Sequence, residues 1–303
     1  MRFGNDMITF EEAVAYLKDM PRFTVKKNPA DSRDLKWFLK KLGNPEKDLR
    51  IIHVAGTNGK GSVCAMLESM LRQAGYRTGL FTSPHLYHET ERILIDGRPI
   101  DPAYMQEGME HIAAILPSAG YFERAFFCAM EAFAASGCEI AVIEAGIGGA
   151  MDVTNLVAPW ATVIANVGLD HTAVLGDTLE KIAQQKAGIA KRSVPMVLYS
   201  DLPKGVHDAI VSVCRNAGAP IYEGERIRII QQDGALHPVL TFQTDKGEVG
   251  PLTLPLMGAH QVKNAQLALA AMMALEGKIK ATEEQLAEGL RTTCWPGRMQ
   301  WMP

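Results

Sequence analysis

A glycine-rich heptapeptide constrains the fold of this chain more than any other feature of its sequence. Residues 56–62 read Gly-Thr-Asn-Gly-Lys-Gly-Ser and follow an apolar stretch at residues 51–55. They precede apolar side chains at helical spacing: Val63, Met66, Leu67, Met70 and Leu71. This order of strand, loop and helix is typical of phosphate sites, because backbone N–H groups point into the turn and the helix N-terminus adds positive potential. The sequence therefore predicts an α/β fold that binds a nucleoside triphosphate, with Lys60 reaching the outer phosphates.

The loop differs in two places from the common P-loop pattern, Gly-x-x-x-x-Gly-Lys-[Ser/Thr]. That pattern would require glycine at Val54 and a hydroxyl residue at Gly61. Here the first glycine is Gly56, and the hydroxyl follows one position late, at Ser62. A plain P-loop kinase is therefore the least favoured nucleotide-binding class. A Gly/Asn turn that only joins a strand to a helix is the alternative.

Composition is that of an ordinary soluble globular protein, with 303 residues, 47% hydrophobic and 21% charged, enough for one large domain or two small ones. The net charge of −3 gives no indication of a nucleic-acid partner. Five scattered cysteines without a C-x-x-C pair are typical of free thiols in a reducing compartment. The N-terminus lacks a signal-type apolar segment, and no apolar run is long enough to span a membrane. We therefore expect a cytoplasmic protein without a membrane partner.

Short apolar runs alternate with helical patterns along most of the chain. The run at residues 140–143, Ile-Ala-Val-Ile, is typical of a strand buried on both faces, and Asp96-Gly97 favours a tight hairpin turn. Thr9 and Glu12 form a capping-box pattern that predicts a helix. We predict a doubly wound, mostly parallel sheet flanked by helices. Short alternating segments at about residues 221–257, the last at 252–256, predict a small antiparallel β patch.

Two separated motifs carry a resemblance to a known family. Residues 53–62, His-Val-Ala-Gly-Thr-Asn-Gly-Lys-Gly-Ser, and residues 82–86, Thr-Ser-Pro-His-Leu, resemble dihydrofolate synthase/folylpolyglutamate synthase, a branch of the Mur ligase superfamily. The resemblance runs from about Thr9 to Arg298 and implies a Mur ligase central-domain-like fold. It also implies a monomeric ligase that uses ATP and Mg²⁺ to join L-glutamate to dihydropteroate or a tetrahydrofolate (poly)glutamate through an acyl phosphate.

The resemblance further implies a domain assignment. In the family, the Trp-Pro-Gly-Arg segment, here residues 295–298, ends the ATP-binding domain. A second domain then begins with Asp-Gly-Ala-His-Asn, a signature that this sequence does not contain. We expect residues 1–303 to be the N-terminal ATP-binding ligase domain, with the C-terminal glutamate-ligase domain absent and turnover impaired.

Glu144 is the first candidate metal ligand, because it ends the apolar run at residues 140–143. A carboxylate at the carboxyl end of a parallel strand near a phosphate loop is a usual Mg²⁺ ligand, and a solvated strand-end glutamate is the alternative. The resemblance implies that Ser83 and His171 complete this site and that Ser62 holds a second ion. A histidine ligand is unusual for so hard a cation as Mg²⁺.

The nucleotide contacts and catalytic groups are also implied by the resemblance. It assigns Asn264 to the adenine side and Arg298 to the phosphates, and it makes Lys60, Lys186 and His171 catalytic. Lys186 corresponds to a carbamylated lysine, formed from a neutral amine and CO₂, which burial beside a metal would favour by lowering the lysine pKa. A solvated helix lysine is the alternative. The loop residues implied to bind ATP are Thr57, Asn58, Gly59, Lys60, Gly61 and Ser62.

The pteroate or folate contacts implied by the resemblance include three aromatic rings that could stack on a flat heterocycle. Two departures from the family concern this side: Ala150 stands where the family often has arginine, and Gly120 where it commonly has threonine. Rings that pack into the core are the alternative reading. The implied substrate residues are Phe23, Tyr121, Phe122, Glu123, Asp152 and Thr154.

Two other function classes stay open on the sequence. A Mur-type peptide ligase would share the loop, Glu144 and His171, but usually carries a separate N-terminal domain. The phosphate loop begins at Gly56, which leaves little room for one. A non-catalytic ATP-binding fragment is the second alternative, and ATP binding without phosphate release would favour it.

Overall fold

The glycine-rich loop follows a buried central strand, as the sequence predicts. The computed structural model describes residues 31–199, 201–234 and 238–297. Within these ranges the main sheet has eight strands in the order β4-β3-β2-β5-β1-β6-β7-β8. Strand β1 pairs in parallel with β5 on one side and β6 on the other, whereas β3 and β4 are antiparallel. The predicted α/β class with a mostly parallel sheet is confirmed.

The eight strands of the main sheet are β1 (Arg50–Ala55), β2 (Thr78–Phe81), β3 (Ile93–Ile95), β4 (Arg98–Pro99), β5 (Ile140–Glu144), β6 (Ala161–Ile164), β7 (Met196–Leu198) and β8 (Ile221–Glu223). Every residue of β2, β5 and β6 is buried, which explains why these strands carry apolar or small side chains apart from Glu144 at the end of β5. The β3–β4 hairpin turns at Asp96 and Gly97 with φ of 49° and 74°. Both values suit the predicted tight turn.

Helices cover both faces of this sheet. They are α1 (Asp31–Lys41), α2 (Lys60–Gln73), α3 (Pro102–Ile115), α4 (Tyr121–Ala135), α5 (Thr172–Leu175), α6 (Leu179–Ala187), α7 (Lys204–Ala217), α8 (Ala259–Ala274) and α9 (Glu283–Arg291). Helix α2 packs with α8 and α9 on one face, while α4 packs behind β2 on the other. Within the described ranges, no helix is long and apolar enough to cross a membrane. The helix predicted from Thr9 lies outside the described residues.

The small sheet is antiparallel but shorter than predicted. It contains β9 (Arg228–Asp233), β10 (Val239–Gln243) and β11 (Glu248–Thr253) in the order β11-β10-β9. Strand β8, which the predicted patch included, instead pairs in parallel with β7 at the edge of the main sheet. Strand β11 begins before the predicted segment at 252–256, because Val249 is fully buried opposite Phe242 of β10.

Candidate functional site

A large cleft lies at the carboxyl ends of β1, β5 and β6. Its volume is about 1430 Å³, and the loop at residues 57–62 forms part of its wall. Strand register places this loop beside Glu144, because Val54 of β1 pairs with Glu144 of β5. Ligands of open α/β sheets bind in such crevices outside the strand ends. The cleft is therefore the candidate active site.

Backbone geometry and one side chain hold the phosphate loop in place. Gly59 caps helix α2 with a φ of 81°, a left-handed conformation that favours glycine. The Thr57 hydroxyl donates to the carbonyl of Gly168 at 3.0 Å and accepts from the N–H of the same residue at 2.9 Å. The Thr57 N–H donates to the Asn166 carbonyl at 2.8 Å. Thr57 thus fastens the loop to the segment after β6, which makes it a structural residue of the site.

A buried carboxylate lies at the centre of the cleft. Glu144 is 3% exposed, and its Oε2 accepts a hydrogen bond from the Ser83 N–H at 2.9 Å. The Lys60 Nζ lies 3.9 Å from Oε1 of Glu144 and donates to the Thr57 carbonyl at 3.2 Å. A charged carboxylate is stable there because opposite charge and an N–H donor offset its desolvation.

The expected metal ligands all line this cleft, but they are not equally placed. Ser83 contacts Glu144 directly, whereas His171 is half-exposed at the N-cap of α5 with its Nε2 3.7 Å from Asp170 Oδ2. Among the described residues, no three His, Cys, Asp or Glu side chains are close enough to hold a metal ion. Mg²⁺ commonly takes one or two carboxylates together with phosphate and water oxygens. Glu144, Ser83 and Ser62 line the cleft and carry oxygen atoms of the type that such an ion takes.

Lys186 is buried directly beneath the phosphate loop. The residue is 2% exposed, and its Nζ donates to the carbonyl of Gly56 at 2.9 Å. Burial, assisted by the nearby Lys60 cation and opposed by Asp170, lowers the Lys186 pKa from 10.5 to about 8. The alternative of a solvated helix lysine is wrong. The lowered pKa increases the fraction of neutral amine near pH 7.

Helix α4 begins with the expected aromatic pair, and both rings line the cleft. Phe122 packs against Phe81 with ring centroids 5.5 Å apart and leaves no room for a side chain at Gly146. Burial raises the Tyr121 pKa to about 12. Glu123 also lines the cleft, but its carboxylate accepts from the Gly120 N–H at 2.9 Å and caps the helix. The rings form an apolar wall, and the implied role of Glu123 is at least partly structural.

Asp152 lines the cleft, and Thr154 lies behind it and is hydrogen-bonded to it. Asp152 Oδ2 accepts from the N–H groups of Gly146 and Ile147 at 3.1 and 3.0 Å. Asp152 Oδ1 accepts from the N–H and hydroxyl of Thr154 at 2.9 and 2.6 Å. Thr154 is fully buried, where its hydroxyl also contacts His53 Nε2 at 2.8 Å. Thr154 is not among the residues that line the cleft, and its side chain supports Asp152, so its implied substrate role stays a prediction.

Asn264 also lines the cleft, and its side chain packs on the phosphate loop at Gly59. Its Nδ2 donates to Gln261 Oε1 at 2.9 Å, and its Oδ1 would lie 2.7 Å from a Cβ added to Gly59. The close approach gives a second reason for glycine at position 59. Phe23 and Arg298, which the resemblance assigned to folate and phosphate, lie outside the described residues.

Two features of the site were not predicted. The Trp295 indole lies against Gly61, where an added Cβ would come within 2.6 Å of Cζ2. Arg92 lines the cleft and donates from Nε to His85 Nδ1 at 2.9 Å. The sequence gives a signal for the contact between Trp295 and Gly61, since Gly61 replaces the hydroxyl residue of the common P-loop. It gives none for the contact between Arg92 and His85, because Arg92 returns to residue 82 only in the folded chain.

Comparison with known proteins agrees with this geometry. The Mur ligase middle domain family matches residues 123–272. A probable bifunctional folylpolyglutamate synthase/dihydropteroate synthase of Haloferax volcanii is 36% identical over 310 residues, which cover 97% of this chain and 36% of that protein. The dihydrofolate synthase/folylpolyglutamate synthase of Bacillus subtilis is 35% identical over 305 residues, covering 96% of this chain and 70% of that protein.

Solved structures show the same similarity. A complex of FPGS with AMPPCP and folate superposes with a TM-score of 0.86 at 30% identity, over 96% of this chain and 73% of that chain. The chain thus spans about a third of the Haloferax relative and between two thirds and three quarters of the other two proteins.

Proposed function

The chain belongs to the folylpolyglutamate synthase/dihydrofolate synthase family of Mur ligases, and on that premise we propose that it is an ATP-dependent amide ligase. Its proposed substrates are ATP, L-glutamate and a pteroate or folate carboxylate. The observation that carries the proposal is one cleft that combines a phosphate loop with Lys60, a buried Glu144 and an aromatic wall at Tyr121 and Phe122. Its similarity to folylpolyglutamate synthases from Haloferax volcanii and Bacillus subtilis supports the same reaction class.

In the proposed reaction, a carboxylate oxygen of the acceptor attacks the γ-phosphorus of ATP, the bond to ADP breaks, and an acyl phosphate forms. The glutamate amine then attacks the acyl carbon, phosphate leaves, and the amine loses a proton. Phosphoryl transfer between two anions depends on cationic groups that offset charge. Lys60 supplies one such charge next to Glu144. Arg298 is proposed as a second.

Mg²⁺ is proposed to be held by Glu144, Ser83 and Ser62 together with the phosphates, and when bound it neutralises phosphate charge. His171 lines the same cleft and is proposed to approach this ion. Asn264 lies over Gly59, a position that suits contact with the nucleotide. Tyr121, Phe122 and Asp152 are proposed to face the pterin, as is Phe23.

Lys186 is proposed to be carbamylated. The neutral amine adds to CO₂ and loses one proton, so that a buried cation becomes an anion beside the loop. Its lowered pKa supports this step, since only the neutral amine reacts. Trapping of ¹³C-labelled CO₂ on wild type but not on Lys186→Gln, read by mass spectrometry after methylation, tests the proposal.

The decisive experiment is glutamate incorporation with Mg·ATP, with dihydropteroate and tetrahydrofolate offered in parallel. Lys60→Ala should abolish incorporation, because it removes the loop cation. Lys204→Ala is the matched control, since Lys204 is exposed, lies outside the cleft and pairs with Asp208 one helical turn away. A Mur-type peptide ligase would instead incorporate nothing with either pterin.

We also propose that the protein is a cytoplasmic monomer without nucleic-acid or membrane partners. Analytical sedimentation tests the oligomeric state, and cell fractionation tests the location.

ATP binding without turnover by residues 1–303 is a second candidate function. The chain spans 70% of the length of the Bacillus relative. Tight ATP binding with no phosphate release and no glutamate incorporation would support it over the ligase.

A further inference from the structure

We propose that Arg92 binds a substrate carboxylate beside Glu144, in a subsite that His85 and Glu89 hold in position. The inference rests on the proposed ligase function and adds to it a group that recognises one of the two anionic substrates. All three residues line the cleft.

The backbone places Arg92 next to the centre of the cleft. Residues Glu89–Arg92 form a short 3-10 turn, and the Arg92 carbonyl accepts from the Thr82 N–H at 3.0 Å. The next residue, Ser83, donates its own N–H to Glu144 at 2.9 Å. The Arg92 carbonyl and the Glu144 carboxylate thus accept hydrogen bonds from two consecutive residues, Thr82 and Ser83, that follow β2.

The orientation of the Arg92 guanidinium is fixed by a chain of side chains. Arg92 Nε donates to His85 Nδ1 at 2.9 Å, so this ring nitrogen carries no proton. The proton of the neutral ring must therefore lie on Nε2, which faces Glu89 Oε1 at 3.7 Å. Glu89 is 4% exposed, and its carboxylate is anchored in the wall. His85 is thus hydrogen-bonded to Arg92 on one side of its ring and faces the buried Glu89 carboxylate on the other.

The chemistry of this arrangement suits a carboxylate ligand. The bond to His85 uses one of the five donors of a guanidinium, and the terminal nitrogens form the planar fork that binds carboxylates in bidentate fashion. The Arg92 Cζ lies 4.9 Å from the Tyr121 ring centroid, which stabilises the cation on the aromatic side of the cleft.

Charge balance points to the same assignment. Among the described residues that line the cleft, the lysines and arginines are Lys60, Arg92 and Lys263. Lys60 belongs to the phosphate loop, and Lys263 pairs with Asp201 at 2.5 Å. Within the described ranges, Arg92 is therefore the cleft-lining cation that lies against Tyr121 and is not engaged by the phosphate loop or by Asp201. Two sources could supply the carboxylate: the incoming glutamate or the glutamyl or benzoyl carboxylate of the acceptor.

The test uses the 303-residue chain with Arg92→Gln, Arg92→Lys and the control Arg98→Gln, which changes an exposed arginine of β4. KM is measured separately for glutamate, acceptor and ATP. Loss of a charged hydrogen-bond donor should raise the KM of one carboxylate substrate about tenfold or more, with KM for ATP unchanged. Arg92→Lys should fall between Arg92→Gln and wild type, because lysine keeps the charge and loses the fork.

A binding measurement decides the matter without turnover. Pterin fluorescence reports acceptor affinity, and the carboxylate-bearing acceptor is compared with a pterin that lacks a carboxylate. A loss in Arg92→Gln confined to the former identifies the acceptor as the source, and a raised KM for glutamate alone identifies glutamate. Unchanged constants for both carboxylates, or an equal loss for ATP, would overturn the proposal while leaving the ligase standing. A wild-type chain that neither turns over nor binds any carboxylate substrate overturns both.

Discussion

The indole of Trp295 lies against Gly61 in the first turn of α2, where a Cβ would come within 2.6 Å of Cζ2 and 3.1 Å of Cε2. This contact explains why the loop lacks the Ser or Thr that follows lysine in the common P-loop. A side chain at position 61 would force the ring to shift, and the hydroxyl residue of the loop stands one position later, at Ser62. The Trp295 Nε1 is buried and has no hydrogen-bond partner in the described structure. The indole therefore holds this position through its packing against the loop and not through a hydrogen bond of Nε1.

Gly61→Ala should therefore weaken ATP binding and lower the free energy of unfolding by about 1–3 kcal/mol, as overpacking usually does. The measurements are calorimetric ATP titration and urea unfolding. Gly247→Ala is the matched control, because its nearest neighbour would lie at 3.9 Å and its φ needs no glycine. Trp295→Leu combined with Gly61→Ala should recover much of the loss. Equal behaviour of both glycine variants would contradict the packing account.

Lys186 should give the protein a distinctive alkaline stability profile. Its folded pKa of about 8 lies below the ordinary 10.5, so the unfolded chain binds more protons between these values. Stability contributed by this group therefore rises as pH increases from about 8 to 10.5 and is lowest below pH 8. The stability difference between wild type and Lys186→Met, from urea unfolding in CO₂-free buffer, should increase over that range. A stability difference that does not change with pH would show that the pKa of the Lys186 amine is not lowered in the folded protein.

Asp152→Asn should destabilise the turn at residues 146–149. The carboxylate accepts hydrogen bonds from the N–H groups of Gly146 and Ile147, and an amide NH₂ cannot replace both acceptor oxygens. We expect a loss of about 1–3 kcal/mol in urea unfolding. Asp208→Asn provides the control, since Asp208 is exposed on α7, where it lies beside Lys204 and His207 and, within the described part of the chain, accepts no backbone hydrogen bond of the kind that Asp152 accepts. Normal stability with weaker pterin binding would instead assign Asp152 to the substrate alone.

His53 should be neutral at all physiological pH values and should carry its proton on Nε2. Thr154 has one hydroxyl proton and donates it to Asp152 at 2.6 Å, so the 2.8 Å contact requires His53 Nε2 to be the donor. Burial, with a smaller contribution from Lys191, lowers the His53 pKa to about 3. Imidazole ¹⁵N shifts should therefore not change between pH 5 and 8. A titration within that range, or an Nδ1-protonated ring, would contradict this reading.

The local elements of the fold could be predicted from the sequence. The Asp96-Gly97 turn depends only on the two residues that form it and their immediate neighbours. Continuous apolar runs predicted the buried strands, because burial on both faces leaves no polar position. The same local signals could not assign β8 to the main sheet, since a strand of three residues has no pattern that distinguishes one sheet from the other. Its parallel pairing with β7 assigns it to the main sheet.

The site shows the same division. The sequence by itself determined the phosphate loop, Glu144 at a strand end and Lys186 on a helix, and the motif resemblance determined the family. Only the tertiary structure decided what these groups touch. Strand order brings Glu144 to Ser83 and Lys60, and α6 delivers Lys186 to Gly56. Packing of distant segments placed Trp295 on Gly61 and Arg92 beside His85. Such contacts join residues whose separation along the chain leaves no periodic or turn signal, so they arise from the assembled sheet alone.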